Sequence, residues 1–349
     1  MKKTILKYLR LLLLPFSFIY GLVLGFRNFF FNVKVLKAKT VDAFVISVGN
    51  LSAGGTGKTP HVNYIAEYLL DKYSIAILLR GYGRQSKGFI LVGENATAET
   101  VGDEAMLYKK HFGKKLQIAV SESRIKGAEK LLALKNKPSV ILLDDAYQHR
   151  YINRNINILL MDFNKPFWKD LVLPAGDLRE FHLGRKRADI IIITKCPEDL
   201  TENVKKQFIK KVKPLASQQV FFSKIVYGNM LPFHGGEFQL PDIIVLVTGI
   251  ANSNPLVERC QKFSKVKHLE FNDHYDYKVE DIKRIHQIFD KFAEDNKIIL
   301  TTEKDFVRLK SAGLFQLTKS RPWFYQCMSV EIDEEETFKR IINERIEKF

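Results

Sequence analysis

Residues able to handle a phosphate group are concentrated in one stretch, Gly49-Asn50-Leu51-Ser52-Ala53-Gly54-Gly55-Thr56-Gly57-Lys58-Thr59-Pro60. Glycine-rich backbone can turn its N–H groups inward around phosphate oxygens, and a helix that starts directly afterwards adds the positive end of its dipole. In that geometry Lys58 reaches the outer phosphates and Thr59 can ligate magnesium, while Asn50, Gly54, Gly55, Thr56 and Gly57 complete a nucleotide site. The strict pattern asks for glycine at the position where this chain has Ser52. A purely structural glycine turn would leave the Gly-Lys-Thr ending unexplained. A second acidic element fits the same chemistry, because the apolar run Val140 to Leu143 delivers Asp144 and Asp145 at its carboxyl end. One of these carboxylates would hold magnesium, directly or through water, and the other would organise the metal shell or the nucleophile. ATP and Mg2+ are therefore the expected cofactors.

Such groups need a rigid frame. The residues Val45 to Val48 read as a strand leading into the glycine loop, and an amphipathic helix is expected from about His61 to Leu70. From residue 43 onward, short apolar runs alternate with longer mixed segments, as in a parallel sheet with crossover helices. Strands are expected at Ala43 to Val48, Ile75 to Leu79, Val140 to Leu143, Ile156 to Met161 and Ile190 to Thr194. Most are continuously apolar, as burial on both faces requires. Gly228, Pro232, Gly235, Gly236 and Pro241 cluster in a stretch that reads as a linker or hinge over 227–241. Beyond it, Ile243 to Val247, Ile298 to Thr301 and Trp323 to Val330 suggest a smaller domain over 242–349, ending in a charged helix. The expected fold is thus α/β: a nucleotide-binding core over 41–226 with a parallel sheet flanked by helices, and a smaller C-terminal α/β domain.

The chain has 349 residues, a formal charge of +16 and three scattered cysteines. Cys196, Cys260 and Cys327 show neither CxxC spacing nor nearby histidines, which points to reduced thiols. The positive charge calls for an acidic partner, and the N-terminus indicates which kind. Lys2, Lys3, Lys7 and Arg10 precede an uncharged run from Leu11 to Phe26, followed by Arg27 and three further phenylalanines. That run falls short of the roughly 20 residues of a spanning helix, and Pro15 interrupts it near its start. Residues 1–40 are therefore expected to form a membrane-contact helix lying at an anionic membrane surface. No helix-turn-helix, zinc or aromatic-sheet signature accompanies the lysines, so nucleic acid is not an expected partner. The lysine-rich stretch Lys205 to Lys213 reads as a solvated helix face.

The phosphate loop alone does not name the acceptor. Guanine recognition is disfavoured, because Thr194-Lys195-Cys196-Pro197 lacks both Asn and Asp of an Asn-Lys-x-Asp element. Several ordered motifs do narrow the choice. The stretches Ser47 to Leu51 with Gly54 to Pro60, Arg80-Gly81-Tyr82-Gly83-Arg84, Val101-Gly102-Asp103-Glu104 and Asp144-Asp145-Ala146-Tyr147-Gln148-His149 resemble the tetraacyldisaccharide 4'-kinases in order and spacing. Leu173 to Glu180, Thr248 to Ala251, Asp273-His274 and Thr301 to Asp305 extend the resemblance. Two departures stand out: Tyr275 where many members have a second His, and Ala146 where glycine is usual.

The resemblance implies transfer of the ATP γ-phosphoryl group to the 4'-hydroxyl of a tetraacylated glucosamine disaccharide 1-phosphate, with magnesium, at the cytoplasmic face of a bacterial inner membrane. It implies that Asp103 accepts the hydroxyl proton and that His274 pairs with it. By residue type alone, Asp103 after Gly102 reads as a helix N-cap and His274 as a surface histidine. Gln148, His149, Arg179 and Arg124 lie in or beside matched segments and can donate hydrogen bonds to sugar and phosphate oxygens. Arg80 and Arg84 flank a turn that suits phosphate contact and solvated loop equally. No obligate protein partner is expected. The competing reading is a membrane-docked ATPase that spends hydrolysis on moving a partner protein.

Overall fold

The computed structural model describes residues 10–236 and 238–349. The cationic start with Lys2, Lys3 and Lys7 lies outside the described residues. Helix α1 (Leu14–Asn32) comes first, followed by β1 (Phe44–Asn50), α2 (Lys58–Leu70), β2 (Ile75–Leu79), β3 (Ile90–Leu91), α3 (Ala98–Val101) and α4 (Asp103–Phe112). Next are β4 (Gln117–Val120), α5 (Arg124–Leu132), β5 (Val140–Asp144), β6 (Ile156–Asp162), β7 (Ile190–Thr194) and α6 (Glu202–Val212). The remainder comprises β8 (Gln219–Pro232), β9 (Ile243–Thr248), α7 (Asn254–Gln261), β10 (Lys265–Glu270), α8 (Val279–Asp290), β11 (Lys297–Thr302), α9 (Glu303–Ser311), β12 (Trp323–Ile332) and α10 (Glu335–Glu347).

All the strands join one sheet in the order β10-β9-β11-β12-β8-β7-β6-β1-β5-β2-β4-β3. The apolar runs dictate its core by their period of two. Phe44, Ile46 and Val48 of β1 pack on one face with Val62, Ile65 and Leu69 of α2. Val45 turns to the other face, against Ala128 and Leu131 of α5. Burial on both faces explains why the five strands expected in the first half all form, with ends moved by a residue or two. β3, β4, β8 and β10 were not expected. β10 lies at a sheet edge and reads Lys-Val-Lys-His-Leu-Glu, too polar to stand out.

Three expectations need correction. The 227–241 linker begins inside a strand, since β8 runs unbroken to Pro232. Gly228 lies at a β-bulge, where the pairing with β12 shifts register between Gln326 and Met328, and Pro232 is tolerated because β8 pairs there with β12 alone, which leaves its other edge free of ladder bonds. The closing helix does not belong to the smaller unit: Phe338 and Ile342 of α10 enter the core of the first half, and Arg345 Nη1 reaches Asp189 at 2.8 Å. Pro15 does not interrupt the apolar run. It sits in the first turn of α1, where a missing N–H costs nothing, so the helix continues for 19 residues.

β8 determines how the two halves face each other. Residues Gln219 to Phe222 pair parallel with β7, and the rest of β8 runs past the carboxyl end of β7 while β12 returns antiparallel along it. β11 and β9 run parallel to β12. The carboxyl ends of both parallel sets therefore point at one another, and a cleft lies between them, where ligands of open α/β sheets bind.

His61 of α2 braces the junction. It is fully buried, with Nδ1 2.7 Å from the Gly57 carbonyl and Nε2 2.9 Å from Ser223 Oγ, the residue at which β8 changes partners. A carbonyl only accepts, so Nδ1 carries the proton and Nε2 accepts from the serine. Burial pushes its pKa down to about 4, although the Gly57 carbonyl opposes the shift. An unfolded imidazole titrates near 6.5, so between those values the unfolded chain binds a proton that the folded chain refuses. Stability is therefore complete above about pH 6.5 and falls by roughly 3 kcal/mol as the pH approaches 4. His149, lowered in the same direction, adds to the slope. Urea midpoints measured from pH 7 to 4.5 should show this decline, and His61→Gln, which retains an amide toward Ser223, should flatten it. An unaltered slope in that variant would assign the decline to other groups.

Candidate active site

The glycine loop closes around its own backbone. Gly54 and Gly57 take φ of +108° and +85°, values that side-chain-bearing residues avoid. Gly57 is the N-cap of α2, whose first residues are Lys58 and Thr59. Asn50 Nδ2 donates to Thr56 Oγ1 at 2.8 Å, and Thr194 Oγ1 donates to the Thr56 carbonyl at 2.9 Å. Ser52, at the position where glycine was expected, forms an isolated antiparallel bridge with Leu178. No positive φ is needed there, so serine is tolerated.

Lys58 is held over the acidic pair. Its ammonium lies 3.8 Å from Asp145 Oδ2, and Arg179 Nη1 donates to Asp145 Oδ1 at 2.7 Å. Burial pushes the Lys58 pKa down, while Asp145 and Asp144 oppose that shift. Burial would raise the Asp145 carboxyl, but Lys58 and Arg179 outweigh it and hold the group below its usual range. Asp144 behaves oppositely. Its Oδ2 accepts from Tyr108 at 3.0 Å, and its Oδ1 is buried with no hydrogen-bond partner among the described residues. Burial, then the Asp145 charge, raises its pKa to about 6. An unpartnered buried carboxylate oxygen beside a phosphate loop is a fit donor for a divalent cation. No cluster of three His, Cys, Asp or Glu side chains able to hold a metal occurs among the described residues. Magnesium commonly needs only one or two carboxylates, with phosphate and water supplying the rest.

Asp103 opens α4, on the phosphate-loop side of the cleft, and His274 faces it from the second half, in the loop after β10. Asp103 is not the cap of its helix: Gly102 holds that position, without any side-chain cap bond. Its Oδ2 lies 3.3 Å from His274 Nδ1 and accepts from Arg308 Nε at 2.7 Å. Burial raises the Asp103 carboxyl, but His274 and Arg308 prevail and keep it ionised at neutral pH. The Asp103 contact raises the His274 imidazole against the effect of burial. The structure thus brings together two residues separated by 171 positions. Helix α4 links the sites, carrying Asp103 at one end and Tyr108, which reaches Asp144, farther along.

The remaining expected residues divide. Arg179 is in the site. Gln148 is occupied, its Nε2 donating to the Asn50 carbonyl at 2.9 Å and to Glu180 Oε1 at 3.1 Å. Arg124 is 2% exposed and donates to the carbonyls of Ser121 and Asp144. It braces the carboxylate-bearing strand end from behind and is not open to a substrate. His149 is half-buried; burial and then Arg124, Arg80 and Arg27 lower its pKa to about 4, so it is a neutral imidazole. Arg84 is paired with Glu122 at 2.6 Å, whereas the Tyr82 ring stands 5.9 Å from His274.

Residue-by-residue reading missed Tyr108, Arg308 and Lys195. Lys195 bonds the Gly55 carbonyl and Asp162. Only its position at the carboxyl end of an expected strand could have signalled it. Arg308 follows the Thr-Thr-Glu-Lys-Asp stretch by one helical turn, a spacing that hinted at a shared helix face.

Comparison with known proteins places the chain in a family. The family model described as Tetraacyldisaccharide-1-P 4'-kinase matches residues 9–347. A tetraacyldisaccharide 4'-kinase of Parabacteroides distasonis is 38% identical, covering 96% of this chain and 94% of the relative. One from Bacteroides thetaiotaomicron is 40% identical over 92% of this chain and 88% of its own length. Among solved structures, LpxK from Aquifex aeolicus in complex with ATP superposes with a TM-score of 0.74 at 32% identity, covering 97% of this chain and 99% of that one. Because the match extends over nearly its whole length, with the phosphate loop and the Asp103–His274 pair inside it, the chain belongs to the Tetraacyldisaccharide-1-P 4'-kinase family.

Proposed function

We infer that this protein is an ATP-dependent kinase that phosphorylates the 4'-hydroxyl of a tetraacylated glucosamine disaccharide 1-phosphate in lipid A biosynthesis. The observation that carries the reading is that one half presents both a glycine loop with Lys58 and an ionised carboxylate, Asp103, and that the other half pairs an imidazole with that carboxylate. The loop N–H groups and Lys58 hold the phosphates of ATP. Thr59, Asp144 and Asp145 would hold magnesium, which neutralises charge on the phosphate oxygens. Arg179 restrains Asp145, and Tyr108 restrains Asp144. Asp103 accepts the proton of the sugar hydroxyl as its oxygen attacks the γ-phosphorus; the bond to the β-phosphate oxygen breaks and ADP leaves. His274 orients Asp103 through its contact with Oδ2.

Helix α1 suits a lipid acceptor. Phe16, Phe18, Ile19, Val23 and Phe26 are all about 60% exposed, an apolar stripe with no cover among the described residues. The opposite side is docked, for instance by the Ser17 hydroxyl accepting from the Ala175 N–H at 2.8 Å. Such a helix, next to Arg10 and Arg27 on a +16 chain, fits an anionic bilayer surface on its cytoplasmic side. Phe18→Asp with Phe26→Asp should reduce cosedimentation with anionic vesicles by about 10-fold or more, since each buried phenylalanine is worth roughly 1.5–3 kcal/mol. Unchanged partitioning would move the contact to another surface.

The function is tested by incubation with γ-labelled ATP and the lipid-linked disaccharide, followed by location of the label. Label on the 4'-oxygen is expected. Release of inorganic phosphate independent of lipid would replace the kinase by an ATPase.

A further inference from the structure

Arg308 is 6% exposed and lies at the bottom of the cleft on α9. Its guanidinium is fixed from behind, with Nη1 donating to the Gly249 carbonyl at 2.6 Å and to Asp305 Oδ1 at 3.1 Å. Asp305 is itself fully buried and immobile: its Oδ2 accepts from the Gly249 N–H at 3.0 Å and from the Thr302 hydroxyl at 2.7 Å. The two remaining nitrogens point forward, Nε to Asp103 Oδ2 at 2.7 Å and Nη2 to His274 Nδ1 at 3.1 Å. Arginine suits this task, because its planar fork holds several acceptors at fixed angles, whereas lysine offers a single flexible point charge.

We propose that Arg308 is the positioning residue of the transfer site, clamping one oxygen of Asp103 and one nitrogen of His274 so that the other Asp103 oxygen alone is left to take the hydroxyl proton. Both contacts of Asp103 fall on Oδ2. Oδ1 has no hydrogen-bond partner among the described residues, so its lone pairs are free for a proton. A guanidinium only donates. When His274 Nδ1 is bare its one lone pair accepts from Arg308, and when Nδ1 is protonated it donates to Asp103 Oδ2, so this nitrogen orients the carboxylate while the hydroxyl proton is taken on Oδ1. The hydroxyl O–H bond breaks as the Oδ1–H bond forms, and no redox partner is required.

Other charges near Asp103 are Glu104 on its own helix, Lys304 and Asp305 on α9, and Asp273 beside His274. Lys304 and Glu104 lie 3.4 Å apart and largely offset each other. Arg308 is the cation in direct contact, so its removal should raise the pH at which Asp103 takes a proton.

The inference rests on the kinase reading, and the experiment separates them. Transfer kinetics are measured against pH for the wild type, Arg308→Gln, Arg308→Lys, Asp103→Ala and the double variants of Asp103→Ala with Arg308→Gln and with Arg308→Lys, with thermal melts of each. Arg308→Gln should lower kcat by about 10- to 100-fold with KM for ATP changed by less than about 3-fold, as expected when only transition-state alignment is lost. The acidic limb of kcat/KM should move to higher pH. Arg308→Lys should retain the wild-type limb, because the charge stays, yet still lose about 10-fold in kcat. In the Asp103→Ala background, Arg308→Gln should cost little more. An unmoved limb in Arg308→Gln, or an equal loss with and without Asp103, overturns the proposal. Should Arg308→Gln fail to fold, Arg308→Lys decides: wild-type kcat, or a loss undiminished when combined with Asp103→Ala, overturns it. Absence of transfer by the wild type overturns the kinase reading as well, whereas transfer with an unmoved limb removes only the role of Arg308.

Discussion

Asp103→Ala is expected to lower kcat by about 10²- to 10⁴-fold, the contribution of a positioned general base. A sugar hydroxyl is a poor nucleophile at neutral pH, and the phosphate loop aligns the γ-phosphoryl group without removing the hydroxyl proton. ATP binding should survive, because Lys58, Arg179 and the Asp144–Asp145 pair contact none of the Asp103 atoms. Rapid-quench transfer assays read the first quantity and equilibrium ATP binding the second. His274→Ala should also depress kcat, and the double variant should be little worse than Asp103→Ala alone, since both act on one proton. Independent, multiplicative losses would argue against the pair. Asp103→Ser separates the base from any structural contribution. Serine is a good residue in the first turn but cannot take up the proton, so full turnover in that variant would reduce Asp103 to packing.

Lys58→Ala carries the second large effect. Its ammonium is the cation at the start of α2 that stands 3.8 Å from Asp145, and on the proposed reading it would reach the outer phosphates of ATP. Loss of one preorganised donor to developing charge typically costs 10²- to 10³-fold in kcat, and at least about that is expected here. The fold should hold. Asp145 keeps its 2.7 Å bond to Arg179, so the half-buried carboxylate is not left unpaired. Burial lowers the Lys58 pKa, so its removal relieves a desolvation cost as well as an attraction. Comparable melting temperatures with lost phosphoryl transfer are the expected pair of measurements. Near-normal turnover would remove the phosphate-loop reading of residues 49 to 59.

Much of this was legible locally. The glycine loop, its lysine and threonine, and the acidic strand end were identified from residue types, because their chemistry depends on neighbours within a few positions. Continuous apolar runs named five strands of the first half, as each is buried on both faces. Asp103 is a different case. Its local context, a carboxylate after glycine at a helix start, describes a cap equally well, and only the resemblance to a known family pointed to His274. Arg124 shows the reverse error. An arginine beside the site looked like a substrate donor, yet the side chain is buried, and Nη1 and Nη2 are bonded to the Ser121 and Asp144 carbonyls.

By itself the sequence determined the strand, glycine loop and helix proposed to hold the nucleotide, the parallel α/β layering and the apolar first helix, since backbone φ demands, strand burial and helix amphipathicity are written in residues close together. The tertiary structure alone decided what meets across the cleft. The amphipathic pattern of α10 requires a partner but does not say which, and the helix returns to the first half. The glycine and proline residues of β8 suggested a break, but a β-bulge at Gly228 and a free sheet edge at Pro232 let the strand continue and turn the second half to face the first. That reversal sets Arg308, Asp103 and His274 within hydrogen-bonding reach, a contact that depends on sheet pairings made far from all three residues in the chain.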